Sequence, residues 1–85
     1  MPTLSVFYGI TIRMYYDDHN PPHFHAIYNE YEAKFSFEGD ILQGEFPKKE
    51  LQLIKAWCII HKKELEANWL LSKEYGQLFE IKPLS

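Results

Sequence analysis

The chain has a single arginine, a single cysteine and no long apolar run, and each scarcity closes off a class of function. Cys58 has no second thiol to pair with, so an intramolecular disulfide is excluded. Its place inside an apolar helical run marks it as a buried structural thiol rather than a nucleophile. No apolar stretch approaches the roughly 18 residues that a membrane span requires, and no charged leader precedes an apolar core. The expectation is a chain that neither spans a membrane nor carries a classical secretion signal, with a cytoplasmic location. There is no internal repeat and no low-complexity linker.

Positive charge is also in short supply. The net charge is -3 and the isoelectric point is near 5.7. Nucleic-acid backbones are held by clustered Lys and Arg, so general electrostatic binding is disfavoured and only a local patch remains open. The one arginine is Arg13. Most lysines fall in the second half, at Lys48, Lys49, Lys55, Lys62, Lys63 and Lys73, interleaved with Glu50, Glu64, Glu66 and Glu74 as on a solvated helix face.

Aromatic residues, by contrast, are abundant: six Tyr, six Phe and two Trp in 85 residues. A chain of this length forms one domain and buries only about 60 to 65% of its unfolded surface. The surplus therefore goes into an aromatic-heavy core or onto a partner surface, for which a homodimer is one candidate. Trp57 and Trp69 read as core or dimer contacts rather than a ligand cage.

The pattern changes period midway. Ile10, Ile12, Met14 and Tyr16 alternate with Thr11, Arg13 and Tyr15, which predicts a half-buried strand. Residues 17–22 break it. His23 to Tyr28 and Tyr31 to Phe37 are the next two strands, joined by a two-residue turn at Asn29-Glu30. Glu38-Gly39-Asp40 turns the chain again, and Ile41 to Phe46 is a fourth strand. Pro47 suits a first helical position, and Leu51, Ile54, Cys58, Leu65 and Trp69 form a helical stripe. The Leu53, Trp57 and Ile60 row widens the apolar arc of its first half. This fits either one long helix or two helices broken near His61 or Lys62. Gly76 is the expected C-terminal cap, and Leu78 to Ile81 the start of a short final strand before Pro83. The predicted fold is α+β: an antiparallel sheet of three to four strands over about residues 8–46, then one long or two shorter helices over about 48–75, packed on one face, and a final strand over about 78–82.

The densest chemistry lies in Asp17-Asp18-His19-Asn20-Pro21-Pro22-His23-Phe24-His25, which holds three of the four histidines. Histidine titrates nearest neutrality and is the commonest metal ligand. The run Phe7 to Tyr16 leading into Asp18-His19-Asn20-Pro21-Pro22-His23-Phe24-His25-Ala26 resembles the signature of the small bacterial family called domain of unknown function 4160. Glu30 to Ala33, Leu42-Gln43-Gly44, Trp57 and Asn68-Trp69 resemble it too. The resemblance implies no activity. It implies a short protein encoded beside a partner similar to domain of unknown function 2442, in an arrangement like a toxin and antitoxin pair.

The Asn29-Glu30 turn sets a register in which Phe24, Ala26, Tyr28, Tyr31, Ala33, Phe35 and Phe37 share the core side. The outer side then holds Arg13, Tyr15, His23, His25, Glu32 and Lys34, with His25 facing Lys34. A bulge near the diproline would reverse the histidines.

Three functional readings follow. The leading one is an interaction protein, binding the neighbouring gene's product or a second copy through this aromatic, polar face. The second is a ribonuclease with Arg13, Tyr15, His23, His25 and Glu32 as its acid, base and charge-stabilising set, and with Lys34, Asp18 and His19 as binding residues. The third is a divalent-metal module. Here His23 and His25 are ligands by their i, i+2 strand spacing, and His19, Asp17 or Asp18 is the third, with His61 the one distant candidate. Against these stands the plain alternative that the histidines only hydrogen-bond Asp17, Asp18 or backbone at a loop mouth. Pro21-Pro22 reads mainly as a loop stiffener.

Overall fold

A computed structural model describes residues 2–84. Five strands form an antiparallel meander in chain order: β1 (Thr3–Phe7), β2 (Ile10–Arg13), β3 (Phe24–Tyr28), β4 (Tyr31–Phe35) and β5 (Ile41–Gly44). One helix, α1 (Lys48–Lys73), follows. The sheet thus has five strands where the sequence predicts three to four.

The additional strand is β1. It joins β2 through Tyr8 and Gly9, both at positive φ, as a primed two-residue hairpin turn requires. Its alternation is hidden in the sequence because the register shifts between Thr3 and Ser5. Leu4, Ser5 and Phe7 are buried as a result, while Val6 is exposed. The other strands are shorter than their apolar patterns suggest: Met14 and Phe37 leave the ladder yet stay in the core.

The β3–β4 hairpin pairs in the expected register, although Tyr31, expected on the core side, is exposed because it sits at the turn, where the helix does not cover the sheet. Tyr28 pairs with Tyr31 and His25 with Lys34, and Asn29 takes a left-handed conformation. Between β4 and β5 the turn is closed by hydrogen bonds from the Ser36 N–H to Asp40 O and from the Gly39 N–H to Ser36 O. Gly39 lies at φ +87, and a Cβ there would stand 2.8 Å from Lys55 Cα, so this turn lies directly against the helix backbone.

Pro47 is the residue before α1 rather than its first helical position; its ring suits the φ of -63 and its carbonyl accepts the Leu51 N–H. The helix buries Ile54, Trp57, Cys58, His61, Leu65, Asn68, Trp69 and Ser72 along one stripe. It is continuous but kinked at His61 (φ -116, ψ 22), so both predicted forms are partly right. Phe7, Phe24 and Phe37 of the sheet side meet Trp57 and Trp69, with ring centroids 5.3 to 6.3 Å apart. Both Trp and five of the six Phe are buried in this core, whereas Tyr8, Tyr16, Tyr31, Tyr75 and Phe79 are exposed; truncating one such buried ring to alanine typically costs about 3–5 kcal/mol.

The helix ends in a Schellman arrangement: the Gly76 N–H reaches Leu71 O and the Tyr75 N–H reaches Ser72 O. The left-handed residue is Tyr75 (φ 55), not the expected Gly76. The predicted final strand over 78–82 does not form. The segment runs extended, held by one backbone bond from the Ile81 N–H to Leu4 O. Side chains of the helix do the rest: Asn68 exchanges two hydrogen bonds with the Phe79 backbone, and Trp57 Nε1 donates to Lys82 O.

Candidate functional site

The loop from Met14 to His23 is fastened to the last turn of α1. The Asp17 N–H donates to Ser72 O, the Tyr75 hydroxyl donates to Asp17 Oδ2, and the Lys73 ammonium donates to the Asp18 carbonyl. Lys73 also lies 4.8 Å over the Trp69 ring, and Tyr16 stacks on Tyr75. These contacts place the Asp18 carboxylate above the start of β3.

Asp18 there meets two imidazoles. Its Oδ1 accepts the His19 N–H at 2.8 Å, while Oδ2 stands 2.9 Å from His23 Nε2 and 3.5 Å from His25 Nε2. The Asp18, His23 and His25 donor atoms all lie within 4.8 Å of one another. His19, the alternative third member, is exposed and outside this group. The correction has a simple cause: the His19 N–H anchors Asp18, so the backbone at this point turns the carboxylate inward and leaves the His19 side chain outside.

His23 also departs from expectation. It does not share an open outer face with His25 but is 3% exposed and packed against Trp69 at 5.4 Å. β3 begins only at Phe24, so the strand alternation that was to point His23 outward has not started. Its Nδ1 is 2.8 Å from Pro21 O. Both ring nitrogens therefore face oxygen acceptors. A neutral imidazole has one N–H and satisfies only one of them; the other contact calls for a second proton or for a metal ion in its place.

His25 lies where predicted, on the outer side, with Tyr15 against its ring edge at 4.3 Å. Register sets Arg13 directly beside it on β2 and Lys34 beside it on β4. Glu32 Oε2 is 4.0 Å from its Nδ1. Its Nε2 is buried, with no hydrogen-bond partner despite the nearby carboxylate, and the Nε of Arg13 is orphaned in the same way. Arg13, Tyr15, His25, Glu32 and Lys34 thus gather as expected. His61 does not join them; it pairs with Glu64 at 2.5 Å and packs on Trp57.

Burial pushes the His25 imidazole below its ordinary pKa, aided by the charges of His23 and Lys34 and opposed by Asp18. For Asp18, burial would raise the carboxyl, but the His19 N–H and the interactions with His23 and His25 outweigh it and hold it low. The outcome is an ionised carboxylate beside an imidazole that resists protonation, the state in which both can donate lone pairs.

The model of the family named Domain of unknown function (DUF4160) matches residues 9–70, about three quarters of the chain. The protein belongs to the DUF4160 family. No curated protein and no solved structure matches it. The matched span of this DUF4160 protein contains all three clustered residues, whereas Ser72, Lys73 and Tyr75, which fasten the loop, lie beyond it. Those helix-end partners carry no local sequence signal, since their role exists only once the helix returns to the loop.

Proposed function

We propose that this DUF4160 protein is a small metal-binding module that holds one divalent transition-metal ion through Asp18 Oδ2 and the Nε2 atoms of His23 and His25. The observation that carries the reading is the convergence of two imidazole nitrogens on one carboxylate oxygen, with His23 oriented from behind by the Pro21 carbonyl. That backing is the usual arrangement behind a metal-bound histidine. Donor atoms around a tetrahedral ion at about 2.1 Å are about 3.4 Å apart, a spacing that falls within the observed cluster. Imidazole and carboxylate together suit zinc, iron, nickel or copper, and three protein ligands leave an open position for water or a substrate.

Loading the purified protein with zinc, cobalt or nickel, followed by elemental analysis, tests this. The expected content is close to one ion per chain. His25→Ala and Asp18→Asn should weaken binding by at least about a hundredfold, since even loss of a supporting partner costs about 10–100-fold. His19→Ala should bind as the parent does. Content far below one ion per chain, with no thermal stabilisation by any of the three ions, would sink the reading.

Association with a partner chain is the second reading, supported by Ile59, Ile60 and Leu70, which are 63 to 76% exposed on the solvent side of the helix. A neighbouring-gene product in a toxin and antitoxin-like pair, or a second copy, would gain by covering them. Co-expression with that product and light scattering of the purified protein test it; a monomer that retains no partner rules it out.

A further inference from the structure

We infer that the open side of the Asp18, His23 and His25 centre receives a phosphoryl oxyanion, held between the metal ion, Lys34 and Arg13; this rests on the metal reading above. The sheet register supplies the geometry. Arg13, His25, Lys34 and Gln43 form one continuous row across β2, β3, β4 and β5. Neighbouring strands lie about 4.8 Å apart, so the two cations bracket His25 at one strand spacing on either side.

Among the described residues Arg13 and Lys34 make no ion pair, and the buried Arg13 Nε has no acceptor at all. A buried donor left unmade is costly, and an incoming acceptor relieves it. Lys34 and Gln43 also line both shallow depressions flanking the centre, one shared with His25 and Glu32, the other with His19 and His23.

Charge points the same way. Arg13, Lys34 and Lys73 balance Asp17, Asp18 and Glu32 around the centre, so a bound divalent ion leaves the site net positive. The ligand class follows from counting partners. A carboxylate has two oxygens, enough for the ion and one cation. A phosphoryl group has three or more, one for each of the ion, the Lys34 ammonium and the Arg13 guanidinium.

Cobalt-loaded protein provides the test, because an oxyanion entering the coordination sphere changes the visible cobalt spectrum. Inorganic phosphate and a nucleoside 5′-monophosphate, each with at least three terminal oxygens, are titrated separately, and cobalt content is measured in every sample. Saturable spectral change is expected with at least one of them; which one responds identifies the source as free phosphate or the phosphomonoester of a nucleotide. Lys34→Gln and Arg13→Gln should each weaken the response by roughly tenfold to a hundredfold, as for loss of a charged hydrogen bond. Lys34→Arg should restore most of the loss, and Lys55→Gln, on the helix, should change nothing. A cobalt-loaded protein whose spectrum ignores both probes, or a Lys34→Gln variant that responds like the parent, overturns the oxyanion. Protein that takes up no cobalt overturns the metal reading and this inference with it, and the content measurement tells the two failures apart.

Discussion

At the scale of single residues, Cys58 shows how burial alone sets chemistry. It has zero exposure, and desolvation pushes its thiol up to about 12. Thiolate is the reactive form, so the native protein at pH 8 should resist a disulfide reagent until denaturant is added, when one thiol per chain should react. Rapid reaction of the native protein would contradict the burial. The same shift has a sign for stability. The fold favours the protonated thiol, so its contribution is present below the unfolded value near 9 and is lost as pH rises toward 12. Cys58→Ala should flatten that alkaline decline in a urea-midpoint series, although the variant will start less stable because of its cavity.

The histidine cluster was legible at this scale only in outline. Spacing identified His23 and His25, and the hairpin register set His25 opposite Lys34 as found, while Arg13 was expected only on the same face and proves to pair with His25 directly. Spacing could not distinguish Asp18 from its neighbours as the third member. That choice depends on a backbone hydrogen bond from His19 and on a helix-end lysine 55 residues away in sequence. Nor could it foresee the burial of His23, which follows from where β3 begins.

Among the elements, the β4–β5 turn and the C-terminal segment are the most sensitive. Gly39→Ala would add a Cβ against the Lys55 backbone at a positive φ, and a loss on the order of 2 kcal/mol is expected in chemical denaturation. A neutral result would mean that turn and helix separate easily. Asn68→Leu would strand both backbone groups of Phe79 that the amide now satisfies. The expected cost is about 1–3 kcal/mol, together with faster proteolysis after residue 76, read by mass spectrometry of the cleaved tail. A tail equally protected in the variant would assign its anchoring to Trp57 and Ile81 instead. The long periodic stretches were readable beforehand, whereas the kink at His61 was only one of two open alternatives, because the periodicity fits a continuous helix equally well. β1 and the tail were not readable, because a bulge scrambles the first alternation and side-chain bonds rather than a ladder hold the second.

For the whole molecule, the proposed ion would tie β3 to the loop that the helix end holds, so it should stabilise the domain as a unit. At a free zinc concentration about a hundredfold above the dissociation constant, the native state gains about 2.7 kcal/mol. For a domain this small that is a rise in Tm on the order of 10 °C, reversed by a chelator and absent in His25→Ala. Scanning calorimetry with and without the ion reads it directly. An equal rise in His25→Ala would indicate binding elsewhere.

The clamp that Lys73 and Tyr75 make on the Asp18 carbonyl and the Asp17 carboxylate has a consequence for where this domain can be cut. A chain ending at residue 70, the limit of the family match, would retain every proposed ligand and nevertheless lose the latch that presents one of them. The boundary that sequence similarity draws is therefore narrower than the boundary of the working part. Any hybrid or shortened version should carry the helix through its final turn to keep Asp18 at its post.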